Sequence, residues 1–250
     1  MTNLDLYAKA EHLLGIEEAT EALYDLYRLE LQNYNVKTLL DVGCGRGGFM
    51  QRMISDGVTC KGIDLSAVMV AECKAKGLDA QCIEVKDVDK KFDAIVSIFD
   101  VLNFMDKEQL LLFLDSIADK LNDDGVFIAD INTLYGFSDV AQGAISSESE
   151  NEFLSIDALF ENSQLHTKFT LFEKNSDGNY TKYQETIVQY FHKIEIFQKL
   201  TGLKLIQKQT FSLYDREDKT LLIFKKKKIT LDATKVTKIY GKNCYNYNIN

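Results

Sequence analysis

Lys37-Thr38-Leu39-Leu40-Asp41-Val42-Gly43-Cys44-Gly45-Arg46-Gly47-Gly48 is a short apolar run that breaks into glycines. Leu39, Leu40 and Val42 read as a buried strand, and Gly43, Gly45 and Gly47 turn the backbone into the helical pattern that follows. Glycine suits that turn because a side chain would oppose positive φ or hold a ligand off the main chain. Gly43, Gly45 and Gly48 also fit the G-x-G-x-x-G spacing of a dinucleotide fold, so the glycines alone say only that a nucleotide-like cofactor approaches the backbone. Asp41 separates the alternatives. A pyrophosphate at the following helix N-terminus would be repelled by a carboxylate closing the strand, whereas a cofactor carrying an ammonium group would be attracted.

A second acidic strand end strengthens that reading. Val58-Thr-Cys-Lys-Gly-Ile-Asp64-Leu-Ser places Asp64 21 positions after Gly43, where a carboxylate can take both hydroxyls of a ribose. An N-cap role for Asp64 competes with this, but Ser66 is the better-placed cap. Asp41-x-Gly43-x-Gly45-x-Gly47 resembles the first motif of the class I S-adenosylmethionine (SAM)-dependent methyltransferases. The resemblance runs from residue 37 to about 228 and implies cofactor contacts from Asp41, Gly43, Cys44 and Gly45 on the first turn, and from Asp64 and Leu65 on the second. After the third strand, expected over Ala80 to Ile83, it implies an adenine contact from Glu84-Val85, with Asp87 in competition. Ile98 at the end of the fourth strand and Tyr7 from the amino-terminal helices complete the implied cofactor set.

The expected fold is α/β: a doubly wound, mainly parallel seven-stranded sheet with an inserted antiparallel β lid. Residues 1–35 form a helical preface, with helices over 4–14 and 16–34 and Ile16, Ala19, Leu23, Leu26 and Tyr27 on one face. Arg28 is a weaker candidate from this preface for the methionine end of the cofactor. Residues 36–140 form the SAM-binding core, with helices ending at Gly57 and Gly77. A further helix is capped by Asp106 and Gln109 and buries Leu110, Phe113, Leu114, Ile117 and Leu121, ending at the turn 122–125. Strand five, Val126 to Ile131, delivers Asp130, Asn132 and Tyr135 to the carboxyl edge, where open α/β sheets bind ligands.

Beyond residue 140 the period changes. Glu152 to Phe160, Gln164 to Glu173 and Tyr180 to Phe191 read as antiparallel strands, with a turn over 175–179. They form the lid insertion, 141–191, resembling the antiparallel sheet of small-molecule methyltransferases, including those acting on sugar amines. Residues 192–228 supply a helix over 193–201 and a closing hairpin, Leu203 to Leu213 and Thr220 to Lys226, whose last strand runs antiparallel to its neighbours. Residues 229–250 have no clear period.

Composition narrows the function. A formal net charge of -9 disfavours a nucleic-acid partner, and the basic run Lys225 to Lys228 reads as a solvated strand end. The chain contains no proline, so it has neither the Asn-Pro-Pro-Tyr type motif of adenine and glutamine methyltransferases nor a Pro-Cys nucleophile; the corresponding place reads Ile98-Phe99-Asp100-Val101. Five cysteines without a Cys-x-x-Cys pair argue against a disulfide framework or a zinc site. No apolar run has the length of a membrane span and no basic-then-apolar leader is present, so a cytoplasmic location and no membrane partner are expected.

The expected activity is methyl transfer to nitrogen or oxygen of a small-molecule acceptor, with the protein a monomer or a homodimer through the lid. Catalytic candidates are Asp100, Asn132, Tyr135 and His192, with Asn103, Asp130 and Tyr190 nearby and His166 and His12 weaker. Tyr135, Tyr183, Tyr190 and Tyr214 are candidates for an aromatic wall. Two alternatives stay open: a nicotinamide-dependent oxidoreductase using the same glycines, and a SAM-binding module without turnover.

Overall fold

Alternation of buried apolar strands with amphipathic helices builds two layers of helix around one sheet. The computed structural model describes residues 3–227; the expected tail 229–250 and Lys228 lie outside them. After helices α1 (Asn3–Ala10) and α2 (Glu17–Leu31) come β1 (Thr38–Val42), α3 (Gly48–Ser55), β2 (Thr59–Ile63), α4 (Ala67–Ala75), β3 (Ala80–Gln81), β4 (Phe92–Ser97), α5 (Lys107–Lys120) and β5 (Leu121–Asn132). A second group follows: β6 (Gly143–Glu148), β7 (Glu152–Glu161), β8 (Gln164–Lys174) and β9 (Tyr180–Tyr190). The chain then returns through α6 (Glu195–Gln198) to β10 (Leu203–Phe211) and β11 (Lys219–Lys226).

The main sheet has the order β10-β11-β5-β4-β1-β2-β3. Strands β1 to β5 pair in parallel, and β11 runs antiparallel to both β5 and β10, as the closing hairpin predicts. Both faces are covered, so the strands are apolar throughout rather than alternating. Leu40, Ile95, Phe127 and Leu222 face α5, while Leu39, Val96, Ile128 and Ile223 pack with Leu23 and Tyr27 of α2 and Phe49 of α3. Because β1 lies between β2 and β4, consecutive connections leave it in opposite directions, and a crevice opens at its carboxyl end.

Local signals hold where the chemistry is short-range. Asp106 accepts from the Gln109 amide and Gln109 reaches back to the Asp106 amide, completing the capping box at the start of α5. Leu121 belongs to β5, not to the helix, and β5 begins before the 122–125 segment, with an irregularity in its pairing to β4. Strand β3 stops at Gln81, because the chain turns into a single 3₁₀ turn, Val85–Asp87, that buries Val85 and Val88. The expected helix over 193–201 is reduced to Glu195–Gln198.

Strands β6 to β9 form a separate antiparallel sheet in sequence order. The β7–β8 connection is a two-residue loop in which Asn162 and Ser163 both have positive φ, the geometry that matches hairpin twist. Strand β6, Gly-Ala-Ile-Ser-Ser-Glu, lacks apolar alternation and escapes sequence reading; pairing with β7 makes it a strand. Helix α1 packs on this sheet, burying Leu6 and Ala10 against Leu154, Ile156, Phe169, Leu171 and Ile187. Among the described residues no helix is long and apolar enough to cross a membrane.

Candidate active site

The glycine turn is built by sterics and backbone pairing. Gly43 has φ +76°, and a Cβ there would stand 2.8 Å from Val101 Cγ2. The amides of Gly43 and Cys44 donate to the Ile63 carbonyl at 2.8 and 3.1 Å, fastening the turn to the end of β2. Arg46 extends from it to Glu11 (2.7 Å), Glu72 and the Ala8 carbonyl (2.7 Å), tying the turn to α1 and α4.

Asp41 is 2% exposed, and among the described residues no hydrogen-bond donor reaches its carboxylate. Burial, and then the charge of Asp64, push its pKa up to about 7. A buried carboxyl without a donor fits a ligand that brings a cation with N–H bonds, such as an amino-acid ammonium. Asp64 is differently held: Oδ2 accepts from the Gly45 amide at 2.9 Å and Oδ1 from the Ser66 amide at 2.8 Å. Burial still raises its pKa. A carboxylate offers about four acceptor sites, so accepting capacity remains for a hydroxyl group. Ser66 is the N-cap of α4, accepting from the Met69 amide at 3.4 Å.

On the third-strand side the exposed Glu84 pairs with Lys86 at 2.7 Å, Asp87 is exposed, and the Val85 side chain lies in the core. The residue brought against the second turn is Cys82, whose thiol lies 3.6 Å from the carbonyl of the exposed Leu65. In the sequence Cys82 reads as strand interior, and the early end of β3 at Gln81 is what brings it there. Cys44 is buried, and burial followed by Asp41 pushes its thiol far up, which leaves it neutral.

The carboxyl ends of β4 and β5 hold a charged cluster inside the protein. Phe99 and Asp100 have φ of 67° and 47°, two successive non-glycine residues in the left-handed region, a conformation costing about 1–3 kcal/mol each. Asp130, with 0% exposure, accepts from the Phe99 amide with Oδ1 and from the Asp100 amide with Oδ2, both at 2.9 Å. The Tyr27 hydroxyl lies between Asp130 Oδ1 (2.6 Å) and the Ser97 carbonyl (2.9 Å), so its one proton goes to the charged, closer acceptor.

Lys219, the first residue of β11, is buried; its ammonium pairs with Asp100 and lies 3.7 Å from Asp130. Burial opposes its charge, but Asp100 and Asp130 outweigh burial and hold the ammonium above its ordinary range. Burial raises Asp130 in turn, against the opposing pull of Lys219. Asp100 Oδ2 also accepts from Asn132 Nδ2 (3.1 Å) and from Gln189 Nε2 (2.6 Å), so strand β9 of the second sheet reaches the cluster. Asn103 makes a second bridge, accepting from the Asn132 amide at 2.9 Å and donating to the Tyr190 carbonyl at 2.8 Å.

Comparison with known proteins agrees with this geometry. Residues 6–197 match the family described as mycolic acid cyclopropane synthetase. The chain belongs to that family and, with it, to the class I SAM-dependent methyltransferases. A protein of Geobacillus sp. (strain WCH70) named as a methyltransferase is 26% identical over 199 residues, 72% of this chain and 80% of that protein. Among solved structures, a SAM-dependent methyltransferase from Clostridium acetobutylicum superposes with a TM-score of 0.72 at 20% identity, over 89% of this chain and 96% of that one. The SAM-bound amino pentose methyltransferase of calicheamicin biosynthesis from Micromonospora echinaspora gives 0.66 at 17% identity, over 89% and 97%.

In this methyltransferase the remaining candidates separate. Tyr7, on α1, is half-buried; burial, then Glu11 and Asp100, push its phenol far up, which sets it between preface and cluster. Ile98 buries its side chain in the core. Tyr135 does not join Asp100 and Asn132: its hydroxyl donates to Asp215 at 2.6 Å and Arg216 covers its ring, on the outer side of the hairpin loop. His192 is 3% exposed, its Nε2 donates to the Met105 carbonyl at 3.0 Å, and burial lowers its pKa, which makes it a neutral support for the turn 101–104. The expected aromatic wall does not form as a unit, since Tyr183 lies under Lys9 in the α1 contact while Tyr214 lies within electrostatic reach of Lys219 and Asp100. Arg28 pairs with Asp56 on the surface. His166 contacts Gln164, and the exposed His12 pairs with Glu152.

Proposed function

We propose that this methyltransferase moves the methyl group of SAM to nitrogen or oxygen of a small-molecule acceptor, and that the second sheet acts as the lid that positions it. The observation that carries this reading is the junction between β9 and the end of β4, where Gln189 reaches Asp100 and the Tyr190 carbonyl receives Asn103. In the proposed division, residues 36–140 with the closing helix and hairpin hold the cofactor, residues 1–35 cover it, and residues 141–191 close the acceptor side.

Bound SAM supplies an electrophilic methyl on a positively charged sulfur. The chain's task is then placement, since an acceptor lone pair held about 3 Å from the methyl in line with the breaking bond gains most of its advantage from orientation. Asp41 receives the ammonium of the methionine part, Asp64 the ribose hydroxyls, and the backbone from Gly43 to Gly45 lets the cofactor approach. The segment from Leu65 through Cys82 to Val85 borders the adenine, with Glu84 and Asp87 at its rim. Asp100, already bound by Lys219, Asn132 and Gln189, acts through charge rather than by taking a proton.

One Lys against two Asp leaves the cluster one negative charge in excess, which favours an acceptor bearing an amine over one bearing a carboxylate. The amino pentose substrate class of the Micromonospora enzyme supports the same choice. Calorimetry with SAM and its demethylated product tests the cofactor half, and tritiated-methyl SAM with panels of amino sugars, simple amines and hydroxy acids tests the acceptor half. Labelling of amines ahead of hydroxy acids is the expected result. No heat with either nucleoside would overturn the reading.

A further inference from the structure

We propose that Lys219 and Asp130 are positioning residues of this site: Lys219 keeps the Asp130 carboxylate ionised, and that carboxylate holds Phe99 and Asp100 in their left-handed turn at the wall between cofactor and lid. The inference rests on the cofactor reading above and extends it to two residues that touch neither cofactor nor acceptor. Every donor on Asp130 is fixed by the fold. Two are successive main-chain amides, one is the phenol of Tyr27, and the carboxylate has no exposed surface. Three donors on the two oxygens, with the Lys219 ammonium 3.7 Å from Oδ2, favour the anion over the neutral acid. Among the described residues the cation within ion-pair distance of Asp130 is Lys219, whose backbone is itself locked by pairing with Asn132 and Phe211.

The turn matters because of what it carries. Val101, one residue on, has its Cγ2 2.8 Å from where a Gly43 Cβ would be, so the segment after β4 and the glycine turn are packed directly on each other. Asp100 on the same turn receives Gln189 from the lid. Releasing Asp130 therefore frees one wall shared by both halves of the site.

The groups facing the cluster are Asp100 on the turn, Tyr27 from α2, Tyr214 and Asp218 from the β10–β11 loop, Tyr7 from α1 and, farther off, Asp41 on β1. Asp41 titrates in the wild type as well, so the informative quantity is the ratio of variant to wild-type dissociation constants at each pH. For the demethylated cofactor, Lys219→Met is expected to bind about ten-fold more weakly at the acid end of the pH range, with the gap closing as pH rises and Asp130 ionises. Lys219→Arg, which keeps the cation, is expected to stay within about two-fold throughout. Asp130→Asn, which keeps the shape but turns an N–H donor toward one amide, is expected to bind about ten-fold more weakly with no such pH trend.

A ratio for Lys219→Met that is flat with pH, or Lys219→Arg no better than Lys219→Met, would overturn the proposal in favour of a packing role. Should Lys219→Met show no cooperative melt, wild-type affinity in Asp130→Asn would overturn it equally. Failure of the wild type to bind the demethylated cofactor would instead strike the cofactor reading.

Discussion

The two halves of the site are assembled in opposite ways. The proposed cofactor half is local: Asp41, the glycine turn and Asp64 lie within 24 consecutive residues, and the turn is held by main-chain bonds to Ile63 and by the Asp64 side chain. The charged cluster on the proposed acceptor side is dispersed, because Tyr27, Asp100, Asp130, Gln189 and Lys219 come from five separate elements and meet only in the folded chain. The first half solves its electrostatics by leaving a buried carboxyl ready for a cationic ligand. The second solves them internally, with a lysine between two aspartates. The contrast teaches that Asp41, proposed to meet a cation, is left without a donor, while the charges of the buried cluster are surrounded by partners.

The largest expected effect tests the local half. Asp64→Ala removes the acceptor of the Gly45 and Ser66 amides together with the proposed ribose contact, and at about 1.5–3 kcal/mol per hydrogen bond to a charged group, two such losses weaken SAM about a hundred-fold or more. Calorimetry with less than a ten-fold loss would place the ribose elsewhere.

A smaller effect comes from Asp41. Its pKa in the ligand-free protein is raised from an ordinary 3.8 to about 7, and an ammonium partner favours the ionised form, so binding expels a proton below pH 7. Cofactor affinity is therefore expected to rise with pH by up to about ten-fold per unit between roughly pH 5 and 7 and then level off. Calorimetry in buffers of different ionisation enthalpy should register the released proton, and Asp41→Asn should abolish the release. The sign for stability is the reverse: a raised folded-state pKa stabilises the free protein at low pH, and that contribution is lost as pH climbs from about 4 through 7. Thermal melts of ligand-free protein should show this trend weakened in Asp41→Asn.

The smallest effect sharpens the boundary of the dispersed half. Tyr135→Phe removes a surface bond to Asp215 and is expected to shift the melting temperature by no more than about 2 °C and to leave cofactor affinity unchanged. A ten-fold fall in turnover on any acceptor found would return Tyr135 to the site.

These differences follow what the residues could reveal on their own. Asp41 and Asp64 were legible because they end apolar strands beside glycines, and Asp106 with Gln109 because a capping box is spelled within four positions. Asp100 and Asn132 were found as polar residues at strand ends, and the structure joins them. Tyr135 carried the same kind of signal and went to a loop partner, and His192, read from the lid side at the start of the expected helix, went to a backbone carbonyl. Lys219 was illegible, since in Asp215-Arg-Glu-Asp-Lys219 it looks like one more charge on a solvated turn, and Gln189 sits in a strand of mixed polarity. Strand β6 carried no apolar period at all.

From the sequence by itself came the α/β class, the cofactor turn, the antiparallel last strand and the inserted hairpins, because sterics at glycine, capping and side-chain alternation act between residues close along the chain. The tertiary structure alone decided which charges are buried together. Desolvating Lys219, Asp100 and Asp130 is tolerable only once α2, β4, β5, β9 and β11 have brought their hydrogen-bonding and ionic partners into contact, and nothing in the order of residues encodes that meeting.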